Sequence, residues 1–318
     1  MNKTFALVFP GQGSQKTGML ETYYSNEIFI NTFSEASECL AYDLLKLVQQ
    51  GPQEEMNLTE KTQPLLLASS IALWRIWQSR SASVPALVAG HSLGEWSALV
   101  CAGVVEFTDA IKLVQSRGKY MQQAVPPGKG AMAAIIGLDD AVVEGICEQS
   151  STSGLVCAPV NYNSPGQLVI AGDKEAVERA IDGCKGAGAK RALPLPVSAP
   201  FHTSLMKPAA DQLAEEIEAT AFSAPGIPVV HNVTAKTEQD VNAIKSIMVE
   251  QIYSPVRWVD CVNSLSADGL NVVVECGPGK VLSGLNKRIN KELTALNTDT
   301  DSAMQDCLEA IKQLRGNL

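Results

Sequence analysis

The chain has 318 residues, with 25 Lys and Arg against 34 Asp and Glu, and a formal net charge of -9. Hydrophobic residues make up 46% of it and charged residues 19%, which supports a large core and excludes a disordered polar chain or a disulfide-stapled miniprotein. Because the balance is acidic and no basic stripe with interleaved aromatic residues occurs, a nucleic-acid partner is also excluded.

The predicted elements alternate between short apolar strands and longer helical patterns, which favours an α/β fold. Residues 4–9, 84–89 and 271–276 are predicted as buried strands, and each stops at a glycine-rich turn. Strand-turn-helix units of this kind build parallel sheets, whose sites lie at the carboxyl ends of the strands. A C-terminal helix is predicted to dock on the core through one apolar face, formed by Met304, Cys307, Leu308, Ile311 and Leu314.

The middle of the chain has a different order of elements. After a linker at residues 126–128, the patterns predict strand 131–136, helix 139–149, strand 155–160, a turn at 163–166, strand 167–171, helix 173–184 and strand 190–197. This βαββαβ order matches a ferredoxin-like unit. We therefore expect an inserted ferredoxin-like subdomain at 128–197, within a larger α/β subdomain formed by residues 1–127 and 198–318.

The eight cysteines show neither a C-x-x-C pair nor a short metal-binding spacing. We expect them to be buried free thiols in a reducing cytosol, and we expect no metal site. The longest apolar stretch, residues 65–74, is about half as long as a helix that crosses a bilayer. The N-terminal apolar segment is too short for a secretory signal. The sequence therefore predicts a cytoplasmic protein without a membrane partner.

The strongest chemical signal is Gly90-His91-Ser92-Leu93-Gly94, which follows a predicted strand and precedes a helical run at 95–100. This is the context that a nucleophile elbow requires. The serine would stand at a helix N-terminus, where N–H groups favour developing negative charge. Ser92 is therefore the predicted nucleophile. The alternative is a glycine-rich turn whose serine only caps the helix.

A serine nucleophile needs a base, and the chain contains only three histidines. His91 adjoins the serine, so its side chain is expected to diverge from it. His231 lies in a strand-like run, where a structural role is expected. His202 follows Pro200-Phe201 in an irregular stretch after the predicted insertion, so it is the favoured base.

No acidic third member is evident, because the acids between residues 92 and 202 fall mostly on predicted helices or in the insertion. A dyad whose histidine is oriented by a carbonyl fits as well. Gln251 is a candidate for that carbonyl, and the alternative is an ordinary loop glutamine.

Two further features bear on substrate binding. The turn at Gly11-Gln12-Gly13 could supply a second oxyanion donor beside the Leu93 N–H, whereas neither it nor residues 277–280 completes a nucleotide-binding motif. Arg117 lies in a largely apolar helical stretch and needs a partner, for which a carboxylate is the best geometric match. That partner could belong to a substrate or to an internal salt bridge, and a solvated surface arginine is also open.

Taken together, these motifs resemble the malonyl-CoA:acyl carrier protein transacylase family, and they run in order from residue 9 to residue 282. The matching stretches are 9–15 (FPGQGSQ), 90–95 (GHSLGE), 117–118 (RG) with 121–122 (MQ), 161–167 (NYNSPGQ), 200–202 (PFH), 232–235 (NVTA) and 275–282 (ECGPGKVL). The resemblance implies an α/β-hydrolase-like parallel-sheet core with an inserted ferredoxin-like subdomain.

The resemblance also implies a role for six residues. These are Ser92 as nucleophile, His202 as general base and acid, the N–H groups of Gln12 and Leu93 as oxyanion hole, Arg117 as partner of the malonyl carboxylate, and the Gln251 carbonyl as the group that orients His202.

The implied reaction is a ping-pong transfer of malonyl from malonyl-CoA to the phosphopantetheine thiol of acyl carrier protein in fatty-acid synthesis, through a malonyl-serine ester. Coenzyme A thioester is then a substrate, no cofactor is expected, and we expect a monomer. Two alternatives stay open: a trans-acting acyltransferase that serves a polyketide synthase, and a serine esterase or thioesterase.

Overall fold

The computed structural model describes residues 5–197 and 199–316. Thr4, the start of the first predicted strand, and Ser198, at the predicted subdomain boundary, lie outside the described residues, as do the chain ends at 1–3 and 317–318. Within the described ranges, no helix is both long enough and apolar enough to cross a bilayer.

The elements alternate along the chain as an α/β protein requires. The strands are β1 (Ala6–Phe9), β2 (Leu87–Gly90), β3 (Gly130–Ile136), β4 (Cys157–Ser164), β5 (Gln167–Asp173), β6 (Arg191–Pro194), β7 (Val229–Val230), β8 (Val272–Glu275) and β9 (Thr294–Asn297). The helices are α1 (Glu27–Leu40), α2 (Leu44–Gln50), α3 (Gln53–Met56), α4 (Thr59–Arg80), α5 (Gly94–Cys101), α6 (Phe107–Gln123), α7 (Asp140–Ser150), α8 (Lys174–Gly186), α9 (Lys207–Ala219), α10 (Val241–Glu250), α11 (Trp258–Ser266), α12 (Val281–Ile289) and α13 (Asp301–Gly316). Short 3-10 turns occupy Glu21–Tyr23, Ser204–Met206 and Ala267–Gly269.

A parallel sheet forms the centre of the molecule, with strand order β7-β2-β1-β8-β9. Its three middle strands are the three that the apolar runs predict. Side chains alternate between the two faces of a strand. Phe5, Leu7 and Phe9 accordingly pack into one apolar cluster. Ala6 and Val8 pack into a second cluster. Because both faces are covered by helices, these strands read as continuous apolar runs.

A second sheet is antiparallel, with strand order β4-β5-β3-β6. Leu168 and Ile170 of β5 pack with α7 and α8 in a cluster of their own. Their neighbours Val169 and Ala171 face the other way and pack into the main core. The second sheet is therefore covered by its own helices on one face and rests on the main core with the other.

The predicted elements are confirmed with adjusted ends. The predicted strand 84–89 begins at Leu87, and the predicted strand 190–197 ends at Pro194, which leaves residues 195–197 as an irregular segment. β4 runs on to Ser164, so the predicted four-residue turn shrinks to Pro165-Gly166, with Gly166 at a φ of 71°. This left-handed conformation favours glycine, because a residue without a Cβ adopts it at no steric cost.

The C-terminal helix was predicted from the sequence, whereas β9, the strand before it, was not. The docking face of the last helix is confirmed, since Met304, Cys307 and Ile311 are buried in the main core. β9 has no counterpart among the predicted strands. Among the strands that the structure describes, it pairs with β8 alone, at the edge of the sheet. Its residues are exposed or half-buried, so it carries no continuous apolar run.

Candidate active site

Two glycines give the turn between β2 and α5 its shape. A Cβ on Gly90 would lie 1.9 Å from the backbone of Gly94, and a Cβ on Gly94 would lie 2.0 Å from the carbonyl oxygen of Phe9. Helix and strands thus approach more closely than any side chain permits. Ser92, between these glycines, has a φ of 52°, a strained conformation that costs about 1–3 kcal/mol for a residue with a Cβ.

Asn232 holds this elbow from the side. Its Oδ1 accepts from the backbone N–H of Ser92 at 2.7 Å, and its Nδ2 donates to the carbonyl of Gly90 at 2.7 Å. The second bond is buried and the first is partly buried, so together they offset part of the backbone cost of Ser92.

His202 is the histidine that reaches the serine. Its Nε2 lies 2.7 Å from Ser92 Oγ, and its Nδ1 lies 2.9 Å from the main-chain carbonyl of Gln251. A carbonyl only accepts, so Nδ1 carries the proton and Nε2 is free to accept from the serine hydroxyl. His202 also has a positive φ, 63°, in the loop between β6 and α9.

Burial lowers the pKa of His202 from its ordinary 6.5 to about 3, and the positive charge of Arg117 contributes to the shift. The imidazole is therefore neutral at pH 7. A neutral imidazole with a bare nitrogen toward a hydroxyl is the form that a general base requires.

Arg117 enters the same pocket from α6. The next residue, Gly118, lets α6 pack against α4, because a Cβ there would lie 2.5 Å from the carbonyl oxygen of Thr59. The guanidinium is buried and donates to Gln63 Oε1 at 2.8 Å, to Gln251 Oε1 at 2.9 Å and to Ser92 Oγ at 3.3 Å.

No carboxylate within residues 5–197 and 199–316 forms an ion pair with Arg117, and its Nε lacks a hydrogen-bond partner there. The surface and salt-bridge interpretations of this arginine are therefore wrong. Burial lowers its pKa to about 10, an effect that the negative charge of Glu95 opposes, so the guanidinium stays charged at pH 7. A buried cation of this kind can bind a carboxylate of a ligand.

The two predicted oxyanion donors line the pocket beside Ser92. Gly11 brings the N-terminal turn against the elbow, since a Cβ on it would lie 2.4 Å from the carbonyl oxygen of His91. In the part of the chain that the structure describes, the N–H groups of Gln12 and Leu93 donate no hydrogen bond. Two free N–H groups next to a nucleophile can bind an oxyanion.

The pocket around these groups has a volume of about 130 Å³. This equals roughly four times the ~30 Å³ that one water molecule occupies in the liquid, which is room for a small acyl group. The lining residues are Gln12, Gln63, His91, Ser92, Leu93, Arg117, Met121, Met132, Asn161, Leu195, Val197, Phe201 and His202. Across the described ranges, no group of three or more His, Cys, Asp and Glu side chains is arranged to hold a metal ion.

The other two histidines do not contact the serine hydroxyl. His91 pairs with Asn163 Oδ1 at 2.8 Å and packs beside the ring of Trp258, so its side chain diverges from Ser92 as predicted. His231 is fully buried and pairs with Glu95 at 2.8 Å. Its structural interpretation is confirmed by this contact.

Glu95 is the main residue of this site that the sequence reasoning missed. It is fully buried in the first turn of α5. Its carboxylate accepts from Gln251 Nε2 at 2.7 Å, from the Asn232 N–H at 3.2 Å and from His231 Nδ1 at 2.8 Å. The sequence offered one indication of its role, namely a charged residue in the first turn of an otherwise largely apolar helix. Asn232 and Gln63, whose contacts are described above, were missed as well.

The assembled geometry has a definite chemical capacity. A hydroxyl next to a neutral imidazole can attack a carbonyl carbon, and the free N–H pair can bind the oxygen that becomes negative. The buried guanidinium can hold a carboxylate of the same small substrate. Acyl transfer or hydrolysis at a carbonyl is thus within reach of this site.

Comparison with known proteins gives the family. The family model described as the acyl transferase domain matches residues 6–303. The chain belongs to this family. Among curated proteins, this acyl transferase is 58% identical over 305 residues to the malonyl CoA-acyl carrier protein transacylase of Salmonella typhimurium, covering 96% of this chain and 98% of that one. It is 42% identical over 313 residues to the Bacillus subtilis transacylase of the same name, covering 98% of each.

Solved structures agree with the fold of this acyl transferase. An acyl carrier protein S-malonyltransferase from Vibrio cholerae superposes with a TM-score of 0.93 at 55% identity, over 96% of this chain and 99% of that one. A malonyl-transacylase in complex with its type II PKS acyl-carrier protein superposes with a TM-score of 0.94 at 54% identity, with the same coverage. The predicted family is confirmed.

Proposed function

We propose that this acyl transferase moves the malonyl group of malonyl-CoA to the phosphopantetheine thiol of acyl carrier protein, supplying fatty-acid chain elongation. One observation carries the proposal: Ser92 Oγ lies 2.7 Å from His202 Nε2 and 3.3 Å from the guanidinium of Arg117. Nucleophile, base and a buried cation therefore share one small pocket. The transacylase name of the relatives at 58% and 42% identity supports the same reaction.

In the first half-reaction, Ser92 Oγ attacks the thioester carbonyl carbon while His202 Nε2 takes the hydroxyl proton. The N–H groups of Gln12 and Leu93 bind the oxyanion of the tetrahedral intermediate. The intermediate then expels the coenzyme A thiolate, and His202 gives this thiolate the proton that it took from Ser92. The product is a malonyl ester of Ser92.

The second half-reaction reverses these steps with a different thiol. His202 Nε2 takes the proton of the phosphopantetheine thiol, and the thiolate attacks the ester carbonyl. Collapse of the second intermediate breaks the bond to Ser92 Oγ, which regains its proton from His202. Throughout, the Gln251 carbonyl holds the Nδ1 proton of the histidine in place, and Arg117 binds the malonyl carboxylate.

We also propose an α/β-hydrolase-like catalytic subdomain at residues 1–127 and 198–318, with an inserted ferredoxin-like subdomain at 128–197. Support comes from the βαββαβ order of β3 to β6 and from the all-antiparallel strand order β4-β5-β3-β6. The proposal includes a monomeric enzyme. It works without a cofactor, since its own side chains and backbone groups supply each group that the two steps need. Its eight cysteines are free, which supports a cytoplasmic location.

A second carrier is favoured by one comparison. The relative that superposes with a TM-score of 0.94 is bound to a type II PKS acyl-carrier protein. The second candidate function is therefore the same malonyl transfer to a polyketide carrier, with unchanged chemistry at Ser92.

The test uses radiolabelled malonyl-CoA. The protein is incubated with it, isolated, and offered fatty-acid carrier protein, polyketide carrier protein or buffer alone. We expect label on Ser92 that persists in buffer and moves to a carrier. Ser92→Ala is expected to abolish labelling. Rapid loss of label to water alone would indicate a hydrolase, and labelling of the Ser92→Ala variant would overturn the mechanism.

A further inference from the structure

Gln251 contacts the nucleophile residue, the base and the buried cation of the proposed chemistry. Its main-chain carbonyl accepts from His202 Nδ1, and its side-chain Oε1 accepts from the Arg117 guanidinium at 2.9 Å. Its Nε2 donates to the carbonyl of Ser92 at 2.8 Å and to Glu95 Oε2 at 2.7 Å. One fully buried residue therefore links nucleophile, base and cation, through its main-chain carbonyl and its side-chain amide.

A terminal amide has two ends of almost the same shape, and only its partners decide which end is the oxygen. The Glu95 carboxylate and the Ser92 carbonyl only accept, so together they select the NH₂ end of Gln251 on their side, and Glu95 is the charged one of the two. The oxygen is then directed at Arg117. If the amide turned over, the NH₂ group would face the guanidinium, two donors would meet, and Arg117 would lose that acceptor.

Glu95 is itself fixed from its other side. The Nδ1–H of His231 donates to Oε1 at 2.8 Å, and the backbone N–H of Asn232 donates to Oε2 at 3.2 Å. A carboxylate that is fully removed from water is tolerated only when it is paired and hydrogen-bonded in this way. Its negative charge also favours the charged form of the buried Arg117 guanidinium.

From these contacts we infer that Glu95 is a positioning residue for acyl transfer. It helps to fix the orientation of the Gln251 amide and, through that amide, the position of the Arg117 guanidinium relative to Ser92. The inference rests on the proposed function. The sequence shows no acid in the triad position next to the histidine. Here the carboxylate contacts Gln251, and Gln251 in turn contacts His202.

The principal test is Glu95→Gln, which keeps the size of the side chain but removes its charge. Gln251 Nε2 then loses the charged acceptor that helps to fix the orientation of its amide. We expect malonyl-enzyme formation, measured by rapid quench per folded molecule, to slow by about 10–100-fold, the range typical of a small misplacement of reacting groups. Acetyl-enzyme formation should slow less, because it does not use Arg117.

Glu275→Gln is the matched control. Glu275 is also fully buried, but it accepts from Leu282 and Ser283 and contacts none of the groups above. We expect it to lower the midpoint of unfolding as Glu95→Gln does, while the ratio of malonyl to acetyl loading stays at the wild-type value. A merely structural role of Glu95 would give the same ratio in both variants, and that result would overturn the inference.

Gln251→Met is the second variant, and it decides the matter if Glu95→Gln does not fold. It keeps the main-chain carbonyl toward His202 but removes the amide. We expect it to reduce the malonyl-to-acetyl ratio, and an unchanged ratio would show that the amide is not the link. If instead the wild-type protein forms no malonyl-enzyme, the proposed function fails, and the two failures are thereby distinguished.

Discussion

Two strand-turn-helix units of the parallel sheet, β2 to α5 and β8 to α12, end in opposite ways. At the second unit, the Glu275 carboxylate accepts from the backbone N–H groups of Leu282 at 3.1 Å and Ser283 at 2.7 Å, in the first turn of α12. The helix N-terminus is thus satisfied by a carboxylate from its own strand. These two N–H groups are therefore already paired within the protein.

At the first unit, the buried carboxylate is turned away from the helix N-terminus. Glu95 accepts from Gln251, Asn232 and His231, and the Leu93 N–H donates to no group in the described ranges. A strand-turn-helix unit is therefore not a site by itself. It becomes one where the N–H groups at the helix start are left for a substrate, and where a neighbouring loop brings a base.

The largest effect is expected from adding a side chain where α5 packs against β1 at the first unit. In Gly94→Ala, the new Cβ would lie 2.0 Å from the Phe9 carbonyl oxygen, so β1 or α5 must shift. Such overpacking typically lowers the free energy of unfolding by about 1–3 kcal/mol. We expect a loss of that size in denaturant titration, together with loss of malonyl loading.

Gly279→Ala is the control at the second unit. Gly279 has a φ of 80°, and its Cβ would meet nothing within 4 Å, so only backbone strain of about 1–2 kcal/mol is expected, with loading unaffected. Wild-type loading by Gly94→Ala would contradict the elbow geometry.

An intermediate effect is expected at the buried guanidinium of Arg117, which binds the substrate carboxylate in the proposed function. Arg117→Ala removes the buried guanidinium, and a hydrogen bond to a charged group is worth about 1.5–3 kcal/mol. Malonyl loading should fall about 10–150-fold, and acetyl loading should fall much less. The measurement is the initial rate of enzyme labelling with each thioester. Equal losses for both acyl groups would contradict the assignment.

The sequence predicted the groups whose signal is local. The elbow around Ser92, the strands that flank it and the loop that carries His202 are each marked by a motif of a few consecutive residues. Those motifs were sufficient to predict them. What it could not predict depends on contacts between distant segments. Glu95 and Gln251 are separated by 156 positions, and Ser92 and Asn232 by 140. No local pattern marks which buried polar groups will meet.

Arg117 shows the same limit in another form. Its partner was open from sequence, because an apolar helical stretch indicates burial but does not say which side chains lie opposite. The structure places two glutamine oxygens and a serine hydroxyl there, and no carboxylate from the described residues. The edge strand β9 escaped prediction for a related reason, since its pairing with β8 compensates for a weak apolar pattern.

The smallest effect concerns the pH dependence of stability, which should have opposite signs for His202, in the loop beside the first unit, and for Glu275 of the second unit. The pKa of His202 is lowered from 6.5 to about 3, so the unfolded chain binds a proton more readily than the folded one. The contribution of His202 to stability is therefore complete above pH 6.5 and declines as the pH falls toward 3. Burial raises the pKa of Glu275, against the hydrogen bonds from Ser283 and Leu282. There the folded state binds the proton more readily, so acidification stabilises it.

These signs are tested by unfolding free energies of the wild type, His202→Asn and Glu275→Gln between pH 8 and the acid limit of folding. Relative to the wild type, His202→Asn should lose less stability on acidification, because the neutral imidazole is gone. Glu275→Gln should lose more, because its amide gains nothing from a proton. The same slope in all three proteins would mean that neither buried group changes its proton affinity on folding, which would remove the electrostatic basis for a neutral base beside Ser92.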